Sequence, residues 1–401
     1  MSLLGFHRWP LRIKMVALLL IASSVPVVVA AIITFANART IIVGDAGELL
    51  GARADQLVSE LDGFHHVYTG LSLRLGRYAP IVESCSAGIV ASDAVRDGLN
   101  TSTRAILETD TNIMGFTLVN DAGGIIWESE GPTAVTIAAR RAVLSSAASG
   151  GPFVSDIYLA RPNAGALPVI SYGAPLSTPN RTCAAILHVR ASAFWDAVRA
   201  ANGRTGEGSY TVVLNAEGIR IAHSFRQNQV FHPTGPVSDE DTKRLVEIHQ
   251  YGQDTEALLA DAVSVPDEYE RARMPLLNNG KDSMYTYAAP ETGETNYGIA
   301  RRMGSVKWTV VAVTPSRSVI GPVNTLIRRT AWISTLIVFA ALALGFWFSE
   351  RISQPLRIMS AVAEDIAGGN LKARVSIHTA DEFGALGTSL NRMTEALAKS
   401  Y

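Results

Sequence analysis

The stretch "LVNDAG" at residues 118–123 returns in the same pattern as "VLNAEG" at residues 213–218. Each copy has two apolar residues, an Asn, two spacers and a Gly, and each lies between runs that are typical of β-strands. Asn and Gly at these places suit a tight turn that joins two antiparallel strands. The repeat therefore predicts two similar structural units, each built around one hairpin.

The runs that follow each hairpin predict an antiparallel sheet of about five strands in each unit, with helices around it. The first unit continues with "LPVISYGAPL" (167–176) and "TCAAILHVRAS" (182–192). The second continues with "SMYTYAAP" (283–290), "NYGIARRM" (296–303) and "KWTVVAVTP" (307–315), after a polar, partly helical insertion at 225–280. The predicted fold class is therefore α+β.

A long helix is predicted ahead of the first unit, over residues 40–80. Its apolar residues recur at alternating steps of four and three, as in a helix with one buried stripe: Leu50, Ala54, Leu57, Leu61, Phe64, Tyr68, Leu71, Leu75 and Tyr78. His65 and His66 fall beside the stripe, and we expect both side chains to be in solvent.

Two apolar segments predict membrane spans. Residues 15–36 and 330–349 each run about 20 residues without a charged side chain, enough for a helix to cross roughly 30 Å of hydrocarbon. A cleaved signal peptide is the alternative for the first segment, because "ANA" at 36–38 has the small-x-small pattern of a cleavage site. In both readings, residues 37–329 lie outside the cytoplasm.

Basic residues orient the two predicted spans. Arg8, Arg12 and Lys14 precede the first span with no acidic residue among them, which predicts that residues 1–14 are cytoplasmic. A second span then returns residues 350–401 to the same side. The chain is therefore predicted to cross a membrane twice, with the central region on the side away from the cytoplasm.

The segment 350–401 predicts two short helices with matching apolar seams. The seam residues are spaced as in a coiled coil and include Leu356, Met359, Ala363 and Ile366 in the first helix and Phe383, Leu386, Leu390 and Met393 in the second. Gly368 and Gly369 end the first helix, and Asp381 can cap the second. Two narrow seams per chain predict a parallel homodimer in which four helices share one core.

This segment resembles a HAMP domain, with Pro355 at its entry, a Gly before its connector and Asp-Glu opening its second helix. The whole order of elements resembles a bacterial receptor with a double Cache sensor over residues 37–325. That resemblance implies a multi-pass protein of the bacterial inner membrane, with the sensor in the periplasm or outside the cell. The resemblance implies two PAS-like units, a distal one at about 85–200 and a proximal one at about 201–325, with the ligand in the distal unit. The Arg-x-Trp-Tyr run of the family's amino-acid-binding members does not occur here, so the resemblance does not imply amino-acid recognition by that scheme.

Candidate ligand-binding residues in the first unit combine aromatic walls with opposite charges, as small-molecule pockets often do. They are Trp127, Asp156, Tyr158, Arg161 and Tyr172. Asp156 suits an ammonium group, and Arg161 suits a carboxylate or phosphate. A weaker set in the second unit is His223, Arg273, Tyr285, Tyr287, Tyr297 and Arg301.

The two cysteines, Cys85 and Cys183, both fall in the outer region. An oxidising compartment permits a disulfide between them, and two separate buried thiols are the alternative. The sequence has no nucleophile elbow, no His-Glu-x-x-His and no metal-spaced cysteines, so we expect no catalytic residues, metal or cofactor in these 401 residues. A net charge of −1 argues against a nucleic-acid partner.

These observations predict the input and relay half of a transmembrane receptor for a small extracytoplasmic molecule. By resemblance, such a half continues into a cytoplasmic output, with a sensor histidine kinase as the first choice and a diguanylate cyclase or a chemoreceptor as alternatives. A membrane-anchored binding protein without its own output domain is the rival from another class.

Overall fold

The computed structural model describes residues 11–129, 150–160, 166–179, 181–273, 283–290, 292–377 and 379–400. The chain divides into two compact units. The sheet unit is Ile42–Gly321, and the helical unit combines Met1–Ile41 with Pro322–Tyr401.

The first sheet of the sheet unit follows three helices, α1 (Leu11–Gly76), α2 (Ala79–Ala87) and α3 (Asp93–Thr109). Its strands are β1 (Ile113–Asn120), β2 (Ile125–Glu128), β3 (Phe153–Val154), β4 (Tyr158–Ala160), β5 (Leu167–Ser177) and β6 (Thr182–Arg190). Their order is β2-β1-β6-β5-β3, with β4 also paired to β5. All of these pairs are antiparallel.

The second sheet begins after α4 (Ala191–Ala200). Its strands are β7 (Tyr210–Leu214), β8 (Arg220–His223), β9 (Tyr285–Ala288), β10 (Thr295–Arg302) and β11 (Thr309–Pro315), in the antiparallel order β8-β7-β11-β10-β9. Between β8 and β9 lie a 3-10 turn (Gln227–Gln229) and helices α5 (Asp239–Glu247), α6 (Thr255–Ala260) and α7 (Pro266–Arg273). The prediction of an α+β chain with antiparallel sheets is confirmed.

The two repeated hairpins, β1–β2 and β7–β8, have the predicted turn chemistry. The side-chain oxygen of Asn120 accepts hydrogen bonds from the backbone N–H groups of Ala122 and Gly124, and that of Asn215 accepts one from Ile219. Gly123 and Gly218 have φ of 81° and 80°, a conformation that glycine adopts without a steric penalty. The repeated motif therefore specifies the same turn in both sheets.

Helix α1 packs against both sheets through the predicted stripe. Leu50 and Ala54 form a buried cluster with residues of the second sheet, and Leu61 and Tyr68 belong to the large core under the first sheet. Polar contacts add to this packing, since both carboxylate oxygens of Asp62 accept backbone hydrogen bonds from the turn between β10 and β11. Helix α1 is therefore a shared part of the packing of both sheets.

The expectation that His65 is in solvent is wrong. Its ring is fully buried, with Nδ1 2.9 Å from the hydroxyl of Tyr172 and its ring centroid 5.0 Å from that of Trp308. Residues from both sheets contact α1 around position 65, so the side chain of His65 is buried although it lies beside the apolar stripe. Burial lowers the pKa of His65 to about 4 and keeps the ring neutral near pH 7. His66 is exposed, as expected.

A disulfide joins Cys85 of α2 to Cys183 of β6, with a Cα–Cα distance of 6.0 Å. The two residues are 98 positions apart in the sequence. The bond closes a long loop and fastens α2 to the centre of the first sheet, so it restricts the unfolded chain strongly.

Replacing both cysteines by serine is expected to lower the free energy of unfolding of residues 42–321 by about 2–5 kcal/mol, because the loss of a long-loop cross-link stabilises the unfolded chain. Urea denaturation of the oxidised protein measures this difference. Wild-type protein treated with a thiol reductant should match the double variant. Equal midpoints for the oxidised wild type and the double variant would contradict the expectation.

The helical unit contains most of α8 (Ser316–Ala367) and all of α9 (Glu382–Ser400). Among the described residues, α8 is the helix that is long and apolar enough to cross a membrane, and only 6% of its apolar window is buried. The apolar part of α1, Leu20–Ile33, is shorter. The span predicted at 330–349 therefore lies in such a helix, and the span predicted at 15–36 stays a prediction.

The side chain of Asn391 fastens the connector between α8 and α9. Asn391 of α9 accepts a hydrogen bond from the backbone N–H of Val375 and donates one to its carbonyl oxygen, and the Val375 side chain is buried. Gly369 has φ of 96° just after α8 ends, and the Asp381 carboxylate accepts from the backbone N–H groups at the start of α9. These contacts match the predicted helix-connector-helix arrangement.

Candidate functional site

The structure does not bring the predicted ligand residues of the first unit onto one surface. Trp127 and Tyr172 are buried in the core that faces α1 to α3. Tyr158 is buried in a small cluster on the opposite face of the sheet, and Asp156 lies in the connection between β3 and β4. Arg161 lies outside the described residues.

A chain of polar side chains crosses the face of the first sheet that is turned away from α1. The two ring nitrogens of His188 lie 2.9 Å from the hydroxyl of Thr117 and 2.8 Å from that of Ser171. The Ser171 hydroxyl also lies 2.8 Å from the hydroxyl of Tyr158. These groups come from four strands, β1, β6, β5 and β4, and supply hydrogen-bonding atoms on an otherwise apolar face. Tyr158 is the predicted ligand residue that belongs to this set.

Asp156 connects the first sheet to the second. Its carboxylate accepts a 2.5 Å hydrogen bond from the indole N–H of Trp308 and a 3.3 Å bond from the side-chain amide of Asn215. Burial raises the pKa of Asp156 to about 6, the negative charge of Glu217 adds to the rise, and the two hydrogen bonds oppose it. Asp156, which the sequence predicts to bind an ammonium group, therefore lies at the junction of the two sheets.

Asp156→Asn is expected to remove a pH dependence of stability. The pKa is about 6 in the folded protein and near 3.9 in an unfolded chain, so the folded state holds the proton more tightly between these values. The group's contribution to the free energy of unfolding therefore falls as the pH rises from about 4 to about 6, by roughly 1–3 kcal/mol, and stays low above that range. Asn cannot ionise, and its amide oxygen can still accept from Trp308.

Thermal unfolding of residues 42–321 across this pH range measures the effect. The difference in Tm between Asp156→Asn and wild type should grow in favour of the variant as the pH rises. Asp121→Asn, which changes an exposed carboxylate at the tip of the first hairpin, should leave the wild-type pH profile unchanged. A constant difference between Asp156→Asn and wild type at every pH would show that the carboxyl does not titrate in this window.

The second sheet carries a cavity of about 200 Å³ on its face away from α1. Strands β7, β8, β10 and β11 contribute to its floor, and the segment between β8 and β9 covers it. Its lining includes Tyr210, Arg220, His223, Arg226, Glu268 and Asn296. This mixture of aromatic, charged and amide groups is typical of a site for a small polar molecule.

Arg220 and Glu268 form a buried ion pair at the base of this cavity. The closest guanidinium nitrogen and carboxylate oxygen are 3.8 Å apart, and both side chains are 2% exposed. Arg220 also donates to the carbonyl oxygens of Pro233 and Val263, and Tyr287 donates to Glu268. Burial raises the pKa of the Glu268 carboxyl, and the positive charge of Arg220 opposes the rise. The pair ties β8 to the covering segment.

His223 presents a hydrogen-bond donor to the cavity. Its Nδ1 accepts from the backbone N–H groups of Phe225 and Arg226, at 3.1 and 3.0 Å, so the proton of the neutral ring is on Nε2. Burial, with the nearby charges of Arg220 and Arg226, lowers the pKa of His223 to about 3. The ring is stacked on Tyr210 at 5.1 Å. The imidazole is therefore a fixed neutral donor.

Most of the weaker candidates of the second unit do not line the cavity. Arg301 pairs with Asp55 of α1 at 2.9 Å, because odd-numbered residues of β10 face α1 while even-numbered ones face the cavity. Tyr297 shares the side of Arg301 for the same reason. Tyr285 is stacked on Tyr287 in the core behind the cavity, and Arg273 lies over the ring of Tyr269. His223 is the member of that set that lines the cavity.

Several polar residues of these two faces were not predicted from the sequence, although some of them stand out in it. Ser171, His188 and Arg220 are single polar residues inside apolar strand runs, a pattern that calls for a specific partner in the fold. Asn296 opens a strand and looks like an ordinary turn residue. Glu268 lies in a polar helix among other charges, and nothing in its sequence context distinguishes it. Among the described residues no cluster of three or more His, Cys, Asp or Glu is placed to hold a metal ion.

Two curated proteins are similar to parts of this chain. An adenylate cyclase of Anabaena cylindrica is 36% identical over 84 residues, which are 20% of this chain and 17% of that protein. A probable methyl-accepting chemotaxis protein of Bacillus thuringiensis subsp. konkukian is 26% identical over 90 residues, which are 22% of this chain and 14% of that protein. The matches thus span less than a fifth of either relative.

Among solved structures, the sensor domain of the V. cholerae histidine kinase DctB is similar to 66% of this chain and 95% of that chain, at 15% identity and a TM-score of 0.46. A TM-score below 0.5 marks a distant likeness that does not identify the fold. The relay segment has a firmer match: residues 347–399 fit the family model of the HAMP domain, and this part of the chain is a HAMP domain.

Proposed function

We propose that this chain is the input and relay half of a transmembrane receptor that senses a small molecule outside the cytoplasm. The observation that carries the proposal is the helix α8. It begins at Ser316, directly after the last strand of the second sheet, contains the span-length apolar window, and ends at Ala367 inside the HAMP domain. A helix without a break is suited to pass a shift or rotation from one end to the other.

The sheet unit is proposed to be a double Cache sensor. Its two antiparallel sheets with similar hairpins, joined by one long helix, support this assignment. A ligand in its first sheet is proposed to contact the face that carries Tyr158, Ser171 and His188. Asp156, Arg161, Trp127 and Tyr172 remain proposed contributors to ligand response, with Asp156 acting at the junction of the sheets.

The helical unit is proposed to form a parallel homodimer. Several seam residues are exposed in a single chain, including Leu356 at 38%, Leu386 at 55% and Met393 at 50%. Covering the exposed part of such side chains with a second copy is favourable by roughly 0.6–1.7 kcal/mol for each large apolar residue, which is about half of the value for full burial. A four-helix core shared by two chains would cover both seams.

The output is proposed to be a histidine kinase, with a chemoreceptor or a nucleotide cyclase as alternatives. The HAMP domain supports a cytoplasmic output of some kind, because the relay needs a partner whose activity depends on its packing. The rival hypothesis is a membrane-anchored binding protein without an output domain. It does not explain why the chain carries a HAMP domain. Changing the helical phase of α8 in a chimera with a kinase tests the relay itself.

The proposed arrangement crosses the membrane twice, with both termini in the cytoplasm of a bacterium and residues 37–329 outside. Alkaline phosphatase, which is active only outside the cytoplasm, is expected to be active when fused after residue 200 and inactive when fused after residue 401. Green fluorescent protein at the same two points should give the opposite pattern. An active phosphatase after residue 401 would overturn the two-span topology.

A further inference from the structure

We propose that the contact between Asp156 and Trp308 is a proton-binding link between the two sheets, and that acid outside the cytoplasm is a stimulus for this chain in addition to a small ligand. Proton binding at this link does not depend on the proposed receptor function, whereas an effect of acid on output rests on it. The link is separate from the polar face of Tyr158, Ser171 and His188, where the ligand of the first sheet is proposed to bind.

The link joins the polar face of the first sheet to the strand that leads out of the second. Asp156 lies two residues before Tyr158 in the chain, and the Tyr158 hydroxyl belongs to the polar face. Trp308 directly precedes β11, and α8 begins at Ser316, directly after that strand. A change at the link is therefore separated from the start of α8 by a single strand.

A second set of contacts fastens the same segment of the first sheet to the second unit. The backbone N–H of Leu159 donates to the carbonyl oxygen of Gln250 at 2.9 Å, and the side-chain amide of Gln250 donates to the carbonyl oxygen of Ile157 at 3.0 Å. Strand β4 is thus bonded to the second unit as well as to its neighbour β5. A shift of Asp156 relative to the second unit would therefore move a strand of the first sheet.

The groups around Asp156 favour the binding of a proton. Its two hydrogen-bond donors, the indole of Trp308 and the amide of Asn215, are neutral. The carboxylate of Glu217 is close enough to act on it, and the nearby cation, Arg244, pairs with Glu217 at 3.0 Å. Burial in the junction and the charge of Glu217 together raise the pKa of Asp156 to about 6.

Two other titratable groups face the link and keep their charge in this range. Burial lowers the pKa of His65, whose ring contacts Trp308, to about 4. Burial raises the pKa of the Tyr251 hydroxyl well above its ordinary value, and the charges of Asp156 and Glu217 add to the rise. A change of charge at the link between about pH 5 and about pH 7.5 therefore belongs to the two carboxyl groups.

The junction also holds a donor and an acceptor that a second arrangement can pair. Tyr251 is 2% exposed, and its hydroxyl and the Oε2 atom of Glu217 are buried without a hydrogen-bond partner among the described residues. Ionised Asp156 repels Glu217, so a rise in pH favours an arrangement in which the carboxylates lie farther apart or accept from Tyr251. A pKa of about 6 instead of about 3.9 corresponds to a change of up to about a hundredfold in the ratio of two arrangements.

The test is fluorine NMR of the full chain in lipid nanodiscs, labelled with fluorotryptophan and titrated from about pH 4.5 to about pH 8. Trp308→Phe identifies the signal of Trp308. In the wild type this signal should shift with a midpoint near pH 6, because the indole N–H donates to the carboxyl group that titrates. In Asp156→Asn the signal should stay constant across the range.

A matched pair of variants tests the second carboxyl group. Glu217→Gln removes the negative charge that faces Asp156, so the midpoint should fall by roughly one pH unit. Glu240→Gln makes the same change at an exposed position of α5 and should leave the midpoint unchanged. A wild-type signal that does not shift, or that shifts equally in Asp156→Asn, would overturn the proposal. So would an unchanged midpoint in Glu217→Gln, because the facing charge would then have no effect.

The effect on output is measured in a chimera that joins residues 1–400 to a histidine kinase domain. The ratio of autophosphorylation at about pH 5.5 to that at about pH 7.5 should differ at least about threefold between the wild-type and Asp156→Asn chimeras, a comparison that cancels the pH dependence of the kinase itself. Equal ratios, with Trp308 titrating as expected, would show that acid is not a stimulus. In that case, a change of activity on inserting two alanines after Glu350 leaves the proposed receptor function standing, and unchanged activity means that it fails as well.

Discussion

Two alanines inserted between Glu350 and Arg351 are expected to change the basal autophosphorylation of a chimera that joins residues 1–400 to a histidine kinase domain. Each residue turns the downstream part of a helix by about 100°, so two residues turn the HAMP seam by about 200°. Met359 and its neighbours would then face away from their proposed partners. A change of about 1.4 kcal/mol between two packings shifts their ratio tenfold, and we expect activity to change by at least that factor.

The matched control inserts seven alanines at the same place. Seven residues turn the helix by about 700°, which restores the seam to within roughly 20° while adding more length than two residues do. Activity should return toward that of the chimera without an insertion. Phosphotransfer from labelled ATP in isolated membranes measures both variants. Equal activity with zero, two and seven alanines would mean that α8 does not transmit its orientation.

Glu268→Ala is expected to destabilise the sheet unit by about 3–5 kcal/mol, because it leaves the charge of Arg220 buried without its counter-ion. Arg220 is among the largest fully buried side chains. The hydroxyl of Tyr287 loses its acceptor as well. Urea denaturation of residues 42–321 measures the change.

Asp267→Ala is the control, because it removes the neighbouring carboxylate from the same helix. The Asp267 side chain is 42% exposed and pairs with Arg271 at the surface. Exposed ion pairs contribute about 0–1 kcal/mol, so this variant should unfold close to wild type. A loss at Glu268 no larger than that at Asp267 would show that Arg220 keeps its hydration in the folded protein.

Local patterns predicted much of this fold because they depend on neighbouring residues. The hairpins at Asn120 and Asn215 follow from turn chemistry that a few residues determine. The stripe from Leu50 to Leu75 follows from the period of a helix, which holds whatever packs against it. The HAMP helices were recognised for the same reason, since their seams repeat at coiled-coil spacing.

The candidate sites were harder to predict because they depend on which strand faces which neighbour. Asp156 and Arg301 carry charges that suit a ligand, yet their partners are Trp308 and Asp55, at separations of 152 and 246 residues. Such pairs form only when a whole sheet is in place. These two residues therefore lie at junctions of the fold, and a role of either one in ligand binding stays a prediction.

By itself, the sequence determined the two repeated hairpins, the apolar stripe of α1, the apolar window of α8 and the HAMP seams, because each is a periodic or turn-forming pattern within a short segment. The tertiary structure alone decided that His65 is buried, that Asp156 joins the sheets, and that His223 and Asn296 meet in one cavity. The physical reason is that burial and partner choice are set by non-local packing, where residues far apart in the chain exclude water from one another.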